Sequence, residues 1–132
     1  MKNTRWMIGM GLAAATTAAI AGSVSIMPVA VTMNADLSGY ATGSMSSARR
    51  SSNTVEMIGC NIQRFGDTTP VRAYGFCQAR SAGNVMGFCS TDNAELLEAI
   101  QGIADYSYIS FAWRADGTCS RIGISTQSFY IP

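Results

Sequence analysis

Hydrophobic and polar residues alternate most regularly in residues 71–80, and this period of two predicts a β-strand. Small or apolar residues occupy the odd positions of the segment, which would face a core. The even positions would form the opposite face of the strand, and they carry Arg72, Tyr74, Phe76, Gln78 and Arg80. Residues 81–84 then read as a hairpin-type loop, and residues 85–90 return as a shorter strand.

Three further segments show the same alternation. Residues 55–64 place apolar side chains on one face and predict a strand before the first hairpin. Residues 106–114 and 118–128 flank an Asp-Gly pair, which is a strong signal for a hairpin with a two-residue type I′ turn. Centring the turn on Asp116 and Gly117 predicts the cross-strand pairs Ile109–Ile124, Phe111–Ile122 and Trp113–Ser120.

A helical period replaces the strand pattern between the two hairpins. Leu96, Ile100 and Ile103 recur on one side of residues 93–103 and form an apolar stripe. Asp92 is the expected N-cap, with Glu95 three residues later as the second half of a capping box. A helix this short is marginal in water, so we expect it to dock on a sheet.

These elements predict an α+β domain over residues 55–132. Its antiparallel sheet would have four to five strands, with one short helix between the third strand and the fourth. The two hairpins, residues 71–90 and 106–128, would be joined through that helix. The strand at residues 55–64 would pair at one side of the sheet.

The N-terminus has the pattern of a secretory signal peptide over residues 1–21. Basic residues precede an uncharged apolar run, and small residues occupy the positions that a signal peptidase reads. Cleavage is expected after Ala21, with Ser23 and Ser25 as alternatives. We therefore expect a secreted or periplasmic protein, although the uncharged run continues far enough for a membrane anchor. Pro28 interrupts that run, so the mature form is expected to keep no stable membrane span.

Residues 22–54 divide into two parts. Residues 22–33 are apolar and rich in β-branched side chains, so they could pair with their own domain, add a strand to a neighbouring molecule, or stay in the membrane. Residues 34–54 are dominated by small and polar side chains, a composition typical of a flexible linker.

Four cysteines in an exported chain are expected to form two disulfides. Cys60, Cys77, Cys89 and Cys119 allow three pairings. We expect Cys77–Cys89, because these residues lie on adjacent strands of one predicted hairpin, and Cys60–Cys119 by elimination. The chain has no closely spaced cysteine pair of the kind that a metal site or a redox site would need.

Composition narrows the possible chemistry. Nine Lys and Arg against eight Asp and Glu give a net charge of +1, which argues against a dedicated nucleic-acid binder. The chain has no His, which removes a Ser-His-Asp triad, and it has no phosphate-binding glycine loop in the mature part. Asp92, Glu95 and Glu98 cluster at the start of the predicted helix, where they suit its dipole. We expect no enzyme activity, no cofactor and no metal.

The candidate site is the set of even residues at 72–80, because Tyr and Arg are enriched at protein interfaces. The alternative is that the helix or another strand buries these aromatic side chains. We expect an exported non-enzymatic structural or binding module that contacts a protein partner or a second copy. Two alternatives are a filament subunit assembled through residues 22–33, and a small inhibitor or hydrolase. An inhibitor would present the loop 81–84, held by a Cys77–Cys89 bridge.

Overall fold

In the part of the chain that the structure describes, seven strands form two antiparallel sheets, where the sequence predicted one. The computed structural model describes residues 22–131, so the predicted signal peptide lies outside the described residues. The elements are β1 (Ala30–Met33), β2 (Gly39–Ser44), α1 (Met45–Arg50), β3 (Met57–Phe65), β4 (Arg72–Arg80), β5 (Met86–Thr91), α2 (Ala94–Gln101), β6 (Tyr108–Trp113), β7 (Cys119–Ser125) and a 3₁₀ turn (Ser128–Tyr130). The four-stranded sheet has the order β1-β2-β6-β7, and the three-stranded sheet has the order β3-β4-β5.

Both predicted hairpins form, but they belong to different sheets. β4 pairs with β5, β6 pairs with β7, and β3 pairs with β4 as expected. The prediction of one sheet was wrong because α2 carries the chain from the three-stranded sheet to the four-stranded sheet. Strand alternation shows which face of a strand is apolar, but it does not show which strand lies beside it.

Residues 34–54 are folded, and the prediction of a linker there was wrong. β2 lies between β1 and β6, and α1 follows it directly. The small residues that suggested flexibility are needed for close packing. A Cβ atom at Gly39 would collide with the Thr32 carbonyl oxygen and with the indole of Trp113. Ala41 is fully buried in the same strand.

The N-terminal segment pairs with its own domain, which was one of the three possibilities for it. β1 runs antiparallel to β2. Ahead of β1, the Met27 backbone N–H donates to Ser47 Oγ at 3.0 Å, and the Val29 N–H donates to Glu56 Oε1 at 2.9 Å. Val29 is buried, so the segment contributes to the core as well as to the sheet.

The core lies between the two sheets and under α2. Ile109 and Phe111 of β6 are fully buried, as are Cys77 and Ala79 of β4. α2 ends at Gln101 with Gly102 as its C-cap, close to the predicted end, but Asn93 is the N-cap where Asp92 was expected. The Asn93 side chain accepts from the Leu96 N–H at 3.1 Å. The cap therefore lies one residue later, and the expected capping box with Glu95 does not form.

The β6–β7 hairpin has a three-residue loop where two residues were predicted. The Arg114 N–H donates to the Thr118 carbonyl at 3.0 Å, and Gly117 has a φ of +81°. This geometry matches a type I turn followed by a left-handed glycine. The register shifts between Ala112 and Trp113, so Trp113 pairs with Cys119 and not with Ser120. Beyond this irregularity, away from the turn, the strands follow the predicted register. The predicted pairs Phe111–Ile122 and Ile109–Ile124 are therefore confirmed.

The two disulfides are Cys60–Cys77 and Cys89–Cys119, so the expected pairing was wrong. Cys77 lies directly opposite Cys60 on one side and Cys89 on the other, and adjacency alone allows either bridge. The second sheet decides the outcome, because a parallel bridge between Ser90 and Thr118 brings the start of β7 to β5. Cys119 is therefore within reach of Cys89, and this bond ties the two sheets together.

We predict that tryptic mapping without reduction will identify this pairing. The mature chain has no Lys, and cleavage after its Arg residues places each cysteine in a separate peptide. We expect peptide 51–64 linked to 73–80, and peptide 81–114 linked to 115–121. The chain-entropy model assigns about 3 to 4 kcal/mol to each bridge. Recovery of 73–80 linked to 81–114 would contradict the arrangement.

A second prediction concerns the carboxylate that holds the N-terminal segment. Hydrogen bonds from the Asn53 side chain and from the Val29 N–H lower the pKa of Glu56 below its ordinary value of 4.5. A lowered pKa in the folded state stabilises the protein above pH 4.5, and this contribution is lost as the pH falls through the folded pKa. Glu56→Gln should therefore destabilise the protein by about 1 kcal/mol at pH 7 and progressively less below pH 4.5.

Thermal unfolding between pH 7 and pH 3, together with hydrogen exchange at the Val29 amide, tests this prediction. Asp116→Asn is the matched control, because hydrogen bonds from Thr118 also lower the pKa of Asp116. Asp116 lies in the β6–β7 turn, so its substitution should leave Val29 exchange unchanged. Equal effects of the two substitutions on Val29 would show that Glu56 does not hold the segment.

Candidate functional site

The outer face of the three-stranded sheet brings the predicted contact residues together. The register aligns Tyr74 with Gln63, Phe76 with Ser90, and Gln78 with Phe88. Because side chains alternate along each strand, all of these side chains point away from the core. We call the aromatic face the surface formed by Phe65, Arg72, Tyr74, Phe76, Gln78, Arg80, Met86 and Phe88.

Aromatic rings form a continuous row across this surface. The Tyr74 and Phe76 ring centroids are 6.4 Å apart, and those of Phe76 and Phe88 are 5.8 Å apart in a stacked arrangement. Tyr74 is 39% exposed, Phe88 is 48% exposed, and Phe65 at the end of β3 is 44% exposed. These rings make the favourable pairwise contacts of aromatic clusters while keeping much of their surface in solvent.

The alternative that α2 buries these rings was wrong. α2 packs on the opposite face of the sheet, where a Cβ atom at Gly75 would lie 2.8 Å from the side chains of Leu97 and Ile100. Gly75 has no side chain, so the helix approaches the β-strand closely on the inner side. The outer side of the same strand therefore remains uncovered among residues 22–131.

Arginine is the only charged residue type in the three strands of this sheet. β3, β4 and β5 together contain Arg64, Arg72 and Arg80 and no Asp or Glu. Arg72 is exposed, whereas Arg80 is half-buried and places its Nη2 3.3 Å from the Met86 sulfur. The Arg80 Nε is buried without a hydrogen-bond partner among the described residues. The strands of the face thus carry aromatic side chains and arginines, whereas Asp92, just after β5, lines a cavity of about 220 Å³ beside Tyr74.

The five residues predicted from the sequence do share one surface, though to different degrees. Arg72 and Tyr74 are exposed, whereas Phe76, Gln78 and Arg80 are half-buried. Sequence reasoning missed Phe65, Met86 and Phe88, which lie on β3 and β5. The hairpin register could have found Phe88, because the pairing of Cys77 with Cys89 places Gln78 opposite Phe88.

Among the described residues, the cavities at α1 and at the C-terminal turn are each lined by no more than one carboxylate. Cavities of about 310, 370 and 420 Å³ surround α1 and the C-terminal turn, and each is lined by a single carboxylate, Glu56 or Asp105. Glycoside hydrolysis needs two carboxyl groups across one bond. The pKa values of Asp36, Glu56 and Asp116 are lowered by hydrogen bonds, chiefly from Ser38, Asn53 and Thr118. A general acid requires a shift in the opposite direction.

The loop at residues 81–84 lacks the bridge expected for an inhibitor loop. Cys77 bonds to Cys60 and Cys89 to Cys119, so no disulfide joins the two strands that flank the loop. Backbone hydrogen bonds shape it instead, from the Ser81 N–H to the Val85 carbonyl at 3.0 Å and from the Asn84 N–H to the Ser81 carbonyl at 2.9 Å.

Comparison with known proteins gave no match: no family model, no curated protein and no solved structure is significantly similar to this chain. Within residues 22–131, no group of three or more His, Cys, Asp and Glu side chains could hold a metal ion. The helices of the same residues are all too short or too polar to cross a bilayer.

We predict that the aromatic face contributes little to folding stability. Phe88→Ala should change the free energy of unfolding by less than about 1 kcal/mol, because Phe88 is half exposed. The matched substitution Phe111→Ala should cost about 3 to 5 kcal/mol, because Phe111 is fully buried between the sheets. Guanidinium unfolding under oxidising conditions measures both. Similar losses for the two variants would mean that Phe88 belongs to the core.

Proposed function

We propose that the protein is an exported, non-enzymatic binding module that contacts a partner protein through its aromatic face. The observation that carries this proposal is the row of Tyr74, Phe76 and Phe88 on the outer face of a sheet whose other face is packed, in which Tyr74 and Phe88 are exposed and Phe76 is half-buried. Contiguous exposed apolar patches on a protein surface often mark interaction sites.

The sheet beneath the face is held rigidly, which favours binding. Cys60–Cys77 joins β3 to β4 directly under the aromatic row, and Cys89–Cys119 fixes β5 to the second sheet. Aromatic side chains on such a support lose little conformational entropy when a partner binds. The proposed site would therefore act as a preformed surface.

The composition of the face also indicates the kind of partner. Tyr and Arg recur among the residues that dominate interface energies, and Arg forms two parallel hydrogen bonds with a carboxylate. With Arg72 exposed beside Tyr74 and no acidic residue in the three strands, the face suits an apolar partner surface that carries Asp or Glu at its rim.

Two features support export to an oxidising compartment. All four cysteines of the chain are paired in disulfides, which persist outside the cytoplasm. The basic and apolar pattern of residues 1–21 remains the expected export signal. A filament assembled through residues 22–33 gains no support, because β1 already pairs with β2 of the same chain.

Site-specific photo-crosslinking in the native envelope tests the proposed function. A photoreactive residue at position 74 should capture a defined protein partner, and Tyr74→Ser should weaken binding of that purified partner by about tenfold or more. Position 40 is the matched control, since Tyr40 is similarly exposed, at 45%, on the outer face of the four-stranded sheet. Equal capture from both positions, or no loss of affinity in Tyr74→Ser, would exclude the aromatic face as the binding site.

A further inference from the structure

The free edge of β5 has backbone groups available for pairing. The Ser81 N–H donates to the Val85 carbonyl, so Ser81 and Val85 form a hydrogen-bonded pair. Hydrogen-bonded and non-bonded pairs alternate along an antiparallel ladder, so Arg80–Met86 and Gln78–Phe88 are non-bonded pairs. The N–H and C=O groups of Met86 and Phe88 therefore point away from β4.

Ser90 confirms this orientation and marks where the free edge ends. Its N–H donates to the Gly117 carbonyl at 3.1 Å, outside the three-stranded sheet. Residues 86, 88 and 90 share one orientation, because backbone direction repeats every two residues. Among the described residues, no backbone hydrogen bond to a group outside the sheet involves Met86 or Phe88. The edge is thus open at these two positions and closed at Ser90.

The other sheet edges carry the protection that natural edge strands commonly have, and β5 does not. β1 has only four residues, β3 carries Arg64 and contacts both helices, and β7 carries Arg121 and contacts α2. β5 has no charged residue and no proline, and Met86 and Phe88 are about half exposed. Short length, charge and covering elements normally prevent strands from pairing with another chain.

We infer that β5 pairs with β5 of a second copy, in an antiparallel arrangement around a two-fold axis. Because the Ser90 N–H is already used, the free groups of Met86 and Phe88 determine the register. Met86 would pair with Phe88 of the second copy, and the axis would pass beside Gly87. Each pair exchanges both backbone hydrogen bonds. Each pair also places a thioether beside an aromatic ring, which is a favourable contact.

Self-pairing fits this edge better than pairing with an unrelated peptide. The strand carries no charge, so two copies meet without like-charge repulsion, and a two-fold axis lets the Met–Phe contact form twice. Pairing would join the two three-stranded sheets into one sheet of six strands. The aromatic faces of both copies would then lie side by side on the same surface.

Sedimentation equilibrium of the exported, oxidised chain tests the inference. We expect a reversible monomer–dimer equilibrium at concentrations up to about 1 mM, a range that includes weak specific association. Met86→Lys should weaken the dimer by about tenfold or more, since a charge on an edge strand opposes pairing. Met33→Lys is the control, because Met33 is similarly exposed on β1, and it should leave the equilibrium unchanged.

Hydrogen exchange on the unmodified chain gives a second readout that does not depend on a variant folding. The Met86 and Phe88 amides should become protected as concentration rises, whereas Ser90 should exchange equally slowly in monomer and dimer. A chain that stays monomeric throughout would overturn the inference, as would a dimer insensitive to Met86→Lys or without protection at these two amides. The capture experiment at Tyr74 is separate, so failure of one proposal leaves the other standing.

Discussion

The packing of Trp113 against one glycine from each sheet determines how the two sheets meet. A Cβ atom at Gly87 of β5 would lie 2.6 Å from the indole, and one at Gly39 of β2 would collide with it as well. The indole N–H donates to the Leu37 carbonyl at 2.9 Å, so its polar atom is satisfied although the ring is buried. The indole ring fits between the sheets only because β2 and β5 each have a glycine, with no side chain, at the point of contact.

The cross-sheet disulfide depends on this approach. Because Trp113 sits where β6 ends and β7 begins, its packing brings Cys119 close to Cys89 of β5. The other disulfide, Cys60–Cys77, lies within the three-stranded sheet and does not depend on the second sheet. One bond thus stiffens the sheet that carries the aromatic face, and the other anchors that sheet to the rest of the domain.

The two proposals use different parts of the same element. The aromatic face presents side chains for a partner protein, whereas the edge of β5 presents backbone groups for a second copy. Phe88 belongs to both, because its ring lies on the face and its N–H and C=O groups lie on the edge. A dimer through β5 would enlarge the proposed binding surface without covering Tyr74, which lies on the neighbouring strand.

The sequence by itself determined the strands of both hairpins and the position of α2 to within a few residues. Alternation placed the strands of both hairpins and identified the outward residues of β4, since side-chain direction in a strand follows directly from position. Only the tertiary structure decided the sheet order, the cysteine partners and the role of residues 34–54. Cys77 has a cysteine opposite it on both sides, so pairing depended on where β7 approached β5. A flexible linker and a close-packed strand can both be rich in small residues such as Gly39. Only the contact with Trp113 shows that residues 39–44 form a packed strand.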